Sequence, residues 1–187
     1  AQSDGDDILF TSSDGTTKLD HEIEKYVDIP GDEGLVAHVR IPSVSDIEDT
    51  VFYMYYGNTG ASIQQNPPGV WDPNYEGVWH LSEDPTGTIY DSTYNDNDAS
   101  SGGGMTSDDQ VQGVIGGAVE FDGSDDIVQT PLNIDQSSGS SGVTMEAWAY
   151  PTSTSSGRHH LLSSDDGGYD WSLLREGGTW YVFTGEN

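Results

Sequence analysis

Short runs in which apolar and polar residues alternate are the feature that most constrains the fold of this chain. In the run from Leu35 to Ile41 the odd-numbered residues are apolar, and the even-numbered ones include His38 and Arg40. A period of two is that of a half-buried β-strand, whereas an amphipathic helix has a period of about 3.6. Similar runs recur along the chain between turns rich in Gly, Asp and Ser, and none has a convincing helical pattern. The sequence therefore predicts an all-β protein.

The charge of the chain excludes several classes of partner. Its 33 Asp and Glu residues against 5 Lys and Arg give a formal net charge of −28. This charge repels nucleic acid and anionic lipid. No apolar run approaches the roughly 20 residues that span a bilayer, so no membrane span is expected. The absence of cysteine excludes disulfides and thiolate metal sites.

The acidic residues are mostly aspartate, with 23 Asp against 10 Glu, and only Lys18 and Lys25 are lysines. This composition resembles that of proteins from salt-loving microbes, so a halophilic source is one interpretation. The other is that many Asp residues stabilise turns or bind calcium, since a carboxylate does both. The two interpretations are compatible.

A proline-rich segment divides the chain. Pro67, Pro68 and Gly69 interrupt the strand pattern, because proline cannot continue a helix or a central strand. We therefore predict a β domain over residues 1–65, a linker over residues 66–76 and a second β domain over residues 77–187. The hydrophobic content of 33% is sufficient for thin β-sandwiches.

The first part of the chain resembles a known family. The strings DGDDILFTSSDGTTKLDHEIEKY and VRIPSVSDIEDTVFYMYYGNTGAS, within about residues 3–63, are similar to a family of secreted microbial proteins known as domain of unknown function 2341. Members of this family carry further strand sequence before the first string, so the resemblance implies an N-terminally incomplete domain. The family commonly precedes a laminin-G-like domain.

Four phrases in the second part resemble such a domain. They are VWHLSED, YDSTYNDNDA, GGAVEFDGSDDIV and VTMEAWAYP, and the resemblance covers about residues 74–187. It implies a concanavalin A-like jelly-roll sandwich, a scaffold that more often binds sugars, calcium or proteins than performs catalysis. Relatives continue with further strands, so the domain is expected to be incomplete at its C-terminus. The predicted fold is thus two β-sandwich-type domains.

Two acidic segments are the candidate calcium sites. The loop 91–98 concentrates carboxylate and amide oxygens, and calcium takes about six to eight oxygen ligands. The laminin-G-like resemblance adds the FDGSDD phrase, because related phrases recur in that family. The candidate ligands are Asp91, Asn95, Asp96, Asn97, Asp98, Asp122, Asp125 and Asp126. The simpler alternative for the loop is a turn stabilised by its own Asp and Asn side chains.

A candidate ligand-binding pair lies in the VTMEAWAYP phrase. Alternation places Glu146, Trp148 and Tyr150 on one face of a predicted strand. The simpler interpretation is that Trp148 packs in the core; the alternative is a platform that stacks on sugar, with Glu146 beside the ligand. Catalytic concanavalin-like glucanases carry further carboxylates after the equivalent glutamate, and here Trp148, Tyr150 and Pro151 follow instead. No catalytic residue is therefore predicted.

Two further interpretations concern histidine and aromatic residues. His21 and His80 are most simply structural or surface residues. The apolar run 51–56 favours a central strand that is covered on two sides.

These observations predict a non-enzymatic extracellular binding, adhesion or surface-assembly segment that is stabilised by calcium and contacts a glycan or a surface protein. One alternative is an accessory carbohydrate-binding module of a larger polysaccharide-degrading enzyme. Another is a structural subunit of an extracellular filament, in which copies of the chain complete one another by strand exchange.

Overall fold

The computed structural model describes residues 1–29, 34–132, 134, 142–152, 156–164 and 171–183. These residues form an almost entirely β structure in which every strand pairing is antiparallel, which confirms the predicted fold class. The strands are β1 Leu9–Ser12, β2 Lys18–Leu19, β3 His21–Val27, β4 Gly34–Val39, β5 Phe52–Tyr55, β6 Thr88–Ile89, β7 Ala99–Gly102, β8 Gln110–Gln112, β9 Gly117–Val119, β10 Ile127–Gln129, β11 Arg158–Ser164, β12 Trp171–Glu176 and β13 Thr179–Phe183.

Helical structure among the described residues is limited to α1, Pro67–Val70, and a 3-10 turn, Ser107–Asp109. The proline-rich segment, which was expected to interrupt the strand pattern, forms the single helical turn α1. Proline is tolerated in the first turn of a helix, where its missing N–H has no intrahelical partner to lose. No helix in the described ranges has the length and apolar character needed to cross a membrane.

The chain divides into two compact units, Ala1–Thr130 and Pro131–Asn187. The predicted linker, residues 66–76, lies inside the first unit rather than between the two. There α1 packs against β3, and the backbone N–H of Asn66 donates to the carbonyl oxygen of His21 at 2.9 Å. The predicted domain limits of 1–65 and 77–187 stay a prediction.

The core of the first unit forms between two β layers. One layer is the sheet with strand order β2-β1-β5, and the other is the β3-β4 hairpin. Ile8, Phe10 and Leu19 are buried. The partly buried residues that pack against them come mainly from the hairpin and are Ile23, Tyr26, Leu35, Ala37, Val39 and Ile41. Two layers that face one another across an apolar core are a β-sandwich-type arrangement.

Strand β5 differs from its prediction as a central strand. It pairs with β1 and lies at the edge of the β2-β1-β5 sheet. Its side chains are each 45–46% exposed. The prediction was wrong because β1 already pairs with β2 on its other side, so β5 takes the outer position. The apolar side chains on both faces of β5 therefore do not show that other parts of the protein cover both faces.

The remaining described strands form three further sheets. In the first unit, β10-β7-β6 form one sheet and β8-β9 a hairpin; in the second unit, β11-β12-β13 form a sheet. Two of the four phrases that resemble a laminin-G-like domain contain no described strand. The phrase from Val78 is interrupted by Leu81, whose φ of 55° is incompatible with an extended backbone. The phrase from Val143 has no strand partner among the described residues.

His21 is a titratable group in the core of the first unit. It is fully buried, and its ring packs edge-on against Phe10 with the centroids 5.2 Å apart. Within the described residues neither ring nitrogen has an aligned hydrogen-bond partner. Burial lowers the pKa of His21 more than the nearby carbonyls of Leu19 and Ile8 raise it.

We expect the stability of the first unit to fall in acid because of His21. The pKa in the folded protein lies below the value of about 6.5 for an exposed histidine, so the unfolded chain binds the proton more readily. This contribution is present above about pH 6.5 and is lost as the pH falls towards the lowered pKa. Urea unfolding of the His21→Leu variant should give a weaker loss of stability between about pH 6.5 and 5 than the unsubstituted chain.

The matched control is Phe10→Leu, which changes the neighbouring ring but removes no titratable group. This variant should shift the unfolding free energy by a similar amount at each pH. If the unfolding free energy changes with pH equally in His21→Leu and in the unsubstituted chain, the acid-induced loss of stability does not come from His21.

Candidate functional site

The carboxylate of Asp91 organises its own loop. It is 7% exposed, and both of its oxygens accept hydrogen bonds. Oδ1 accepts from the backbone N–H of Val78 at 2.9 Å and of Thr93 at 3.0 Å. Oδ2 accepts from the Thr93 hydroxyl at 2.8 Å and the Asn97 N–H at 2.9 Å. These contacts support the alternative of a side-chain-stabilised turn.

Three of the other candidate ligands in this loop form hydrogen bonds with backbone groups. The amide nitrogen of Asn95 donates to the Tyr75 carbonyl at 3.0 Å, and that of Asn97 donates to the Glu76 carbonyl at 2.7 Å. Oδ1 of Asp98 accepts from the Asp91 N–H at 2.9 Å. Asp96 is exposed and has a left-handed backbone with φ 51°. Across the described ranges, no cluster of three acidic or histidine ligands includes a residue of this loop.

The second predicted group comes together in the turn between β9 and β10. Carboxylate oxygens of Asp122, Asp125 and Asp126 lie within 4.8 Å of one another. A hydrogen bond from the Ser124 N–H, at 2.7 Å, is the main cause that lowers the pKa of Asp122. The turn lies against Gly103, whose φ is 77° and where a Cβ atom would stand 2.0 Å from the Asp125 carbonyl oxygen. Only glycine allows this close approach.

The predicted sugar-binding residues are exposed. Trp148 is 81% exposed, and Glu146 is also exposed, whereas Val143 and Met145 are half-buried. The interpretation that Trp148 packs in the core is therefore wrong. Residues 142–152 form no strand, so the alternation does not carry the indole ring into a sheet interior.

A different cluster, which the sequence reasoning missed, forms around the β3-β4 hairpin. The pairing register places Glu22 opposite His38, and a bulge at Glu24 lies between the pairs formed by Ile23 and Lys25. A bulge inserts an extra residue and redirects its side chain. The carboxylate Oε2 of Glu24 contacts Nε2 of His38 at 2.7 Å.

His80 completes this cluster, which we call the His–Glu cluster and define as Glu22, Glu24, His38 and His80. The Nδ1 atom of His80 is 3.6 Å from Oε2 of Glu24. Its Nε2 atom is 3.2 Å from Oε2 of Glu22 but is not aligned with it as a hydrogen bond. The two imidazole rings stack with their centroids 5.2 Å apart and 21° between their planes.

Neighbouring donors fix the carboxylate of Glu22. Nε1 of Trp71 donates to Oε2 at 3.0 Å, and the Ser92 hydroxyl donates to Oε1 at 2.5 Å. Burial alone raises the pKa of Glu22, but His80 and the donors from Ser92 and Trp71 outweigh it, so the pKa is lowered overall. Burial alone lowers the pKa of His80. The carboxylates of Glu22 and Glu24 outweigh burial, so the pKa of His80 is raised overall.

A cavity of about 340 Å³ lies beside the His–Glu cluster. Glu22, Glu24 and His80 contribute to its wall, together with Pro68 and Ser92. The cluster is therefore accessible to a small ligand from one side.

Residues 4–93 match the family model described as Domain of unknown function (DUF2341). The match confirms the resemblance predicted for the first part of the chain and extends it to include all four residues of the His–Glu cluster. No curated protein and no solved structure matches the chain. The laminin-G-like interpretation of residues 74–187 stays a prediction.

The structural role of Asp91 can be tested by removing its charge. Asp91→Asn places an amide NH₂ group against backbone N–H donors, which leaves buried donors unsatisfied. We expect a loss of about 1–3 kcal/mol in the unfolding free energy. Chemical unfolding should show the same loss with added calcium and with a chelator.

Asp96→Asn is the matched control, because it makes the same charge change in the same loop. Asp96 is exposed, and asparagine tolerates its left-handed backbone. A loss in Asp91→Asn that appears only in the presence of calcium would contradict the structural role and support metal binding by Asp91.

Proposed function

We propose that this chain is a non-enzymatic extracellular binding, adhesion or surface-assembly segment that is stabilised by calcium. A glycan or a surface protein is its partner, and residues 74–187 belong to a laminin-G-like domain. The observation that carries the calcium part is the convergence of Asp122, Asp125 and Asp126 in one turn of a strongly acidic chain.

The chemistry of this turn favours calcium. Carboxylate oxygens are hard ligands, and calcium accepts flexible geometry that water molecules complete. Carboxylates held within 4.8 Å repel one another, and a bound cation removes that repulsion. Asp126 also accepts hydrogen bonds from the backbone of Asp122 at 2.8 Å and of Gly104 at 3.3 Å. An ion held there would therefore stabilise the connection between this turn and the end of β7.

The arrangement around Glu146 supports binding rather than catalysis. Glycosidases use two carboxylates about 5–10 Å apart. The residues that follow Glu146 at alternate positions are Trp148 and Tyr150, and neither is a carboxylate.

Calcium binding should be lost when the acidic turn loses two of its charges. Calorimetric titration and thermal melting with calcium or a chelator should show heat and stabilisation for the unsubstituted chain, and neither for the double variant Asp122→Asn, Asp125→Asn. At a free calcium concentration of 100 times Kd, linkage gives a stabilisation of about 2.7 kcal/mol.

The double variant Asp46→Asn, Asp49→Asn is the matched control. These exposed residues have the same spacing but lie outside the acidic cluster. The control should retain calcium binding. If calcium gives the unsubstituted chain neither heat of binding nor thermal stabilisation, the calcium part of the proposal is wrong.

A second candidate function is an accessory carbohydrate-binding module. It is favoured by the exposure of Trp148 and Tyr150, at 81% and 90%. Exposed aromatic rings with an apolar face and a polar edge are suited to contact sugar rings. The filament alternative stays a prediction.

This second candidate predicts that Trp148→Ala abolishes binding on a glycan array without lowering the melting temperature, because the ring is exposed. Tyr94→Ala, which removes an exposed ring from the first unit, is the control and should retain binding. Unfolding of Trp148→Ala, or equal glycan binding by both variants, would contradict the platform.

A further inference from the structure

We propose that Glu24, His38 and His80 bind a divalent transition-metal ion, for which zinc is the probe, and that Glu22 positions His80 for this role. The site is separate from the acidic turn at Asp122 and does not depend on calcium binding there.

The ligand atoms already have the required spacing. One ligand atom from each of Glu24, His38 and His80 lies within 4.8 Å of the others. Tetrahedral ligands at about 2.0–2.1 Å from zinc are about 3.3 Å apart. The measured separations from Oε2 of Glu24 are 2.7 Å to His38 and 3.6 Å to His80, on either side of that value. Small side-chain movements are therefore sufficient to admit the ion.

Glu22 is placed to support His80 as a metal ligand once the His80 ring turns into line with it. A histidine that binds a metal through one ring nitrogen commonly donates the other N–H to a carboxylate, which fixes its orientation. Here Nδ1 of His80 faces Glu24 and Nε2 faces Glu22. Because Trp71 and Ser92 hold the two oxygens of Glu22, that carboxylate is itself fixed.

The charge of the cluster also favours a cation. The side chains of Glu22 and Glu24 are only 9% and 8% exposed. Buried carboxylates are costly unless they are paired with positive charge. One divalent ion balances the charge of both carboxylates.

The ligand set selects the kind of metal. Two imidazole nitrogens and one carboxylate suit zinc and other first-row transition metals, whereas calcium and magnesium prefer oxygen ligands. Three protein ligands leave a fourth position for water or another donor. Since Glu24 and His80 line the adjoining cavity, that fourth ligand can approach from the cavity.

The test uses the full chain with saturating calcium already present, so that zinc does not report on the acidic turn. Calorimetric titration with zinc chloride should give one binding event that is lost in His38→Gln and in His80→Gln. Replacing zinc by Co²⁺ should produce visible absorption typical of tetrahedral cobalt with nitrogen ligands. Far-UV circular dichroism checks that each variant is folded, and glutamine keeps a polar side chain at each position.

His159→Gln and Glu48→Gln are the matched controls, since both residues lie outside the His–Glu cluster, and they should bind zinc as the unsubstituted chain does. Glu22→Gln should weaken zinc binding about 10–100-fold while keeping the stoichiometry and the cobalt spectrum. A merely structural Glu22 would lower the melting temperature and leave the affinity for zinc unchanged.

Two outcomes would overturn the site. One is the absence of zinc binding by the folded, unsubstituted chain. The other is zinc binding that survives in the double variant His38→Gln, His80→Gln but is lost in Asp122→Asn, Asp125→Asn, because the ion would then belong to the acidic turn. Loss of calcium binding alone, with zinc binding retained, would contradict the proposed function and leave the zinc site standing.

Discussion

Hydrogen bonds from backbone N–H groups to aspartate carboxylates hold the loops of the first unit in place. Asp7 accepts from the N–H of Gln2 at 2.6 Å and of Gly57 at 2.5 Å, so it joins the start of the chain to the segment after β5. Asp14 accepts from consecutive N–H groups in the β1-β2 turn, and Asp91 accepts from the N–H groups of Val78, Thr93 and Asn97. Charge-assisted bonds of this kind are stronger than those between neutral groups.

Hydrogen bonding of aspartate carboxylates to the backbone explains the excess of Asp over Glu better than net charge does. Aspartate has a short side chain that reaches the backbone two or three residues away, whereas glutamate reaches less favourably. An excess of Asp over Glu is therefore expected in a chain built from short strands and many turns. The apolar core around Phe10 is small, so the turns contribute a large share of the order of this unit. Halophilic adaptation is not needed to account for residues such as Asp14 and Asp91.

The strands and turns that depend only on neighbouring residues could be predicted from the sequence. Strands β1, β3 and β4 follow from alternation, and the acidic turn at Asp122 follows from residues adjacent in sequence. Position within a sheet was not predictable for β5, because it depends on which strands pair with β1. The break at Leu81 was also hidden, since leucine ordinarily has no left-handed preference.

The His–Glu cluster was missed for a related reason. Its members come from the two strands of a hairpin and from a loop about forty residues further on. The available signal was the Glu-Ile-Glu spacing in β3, which faces His38 once the hairpin register is known. Neither the bulge that redirects Glu24 nor the irregular segment that carries His80 produces a periodic pattern in the sequence. A site assembled by irregular backbone cannot be found by searching for regular strands.

The two proposed ion sites lie in different parts of the sequence relative to the family match. The His–Glu cluster lies wholly within residues 4–93, the part that matches the family model, and it links β3, β4 and the segment around His80. The acidic turn at residues 122–126 lies beyond the match, where the laminin-G-like resemblance suggests calcium. Their ligands also differ, since one set contains imidazole nitrogen and the other only carboxylate oxygen. Both sites lie within the first compact unit, Ala1–Thr130, so ligand type and position relative to the family match distinguish them, not separate units.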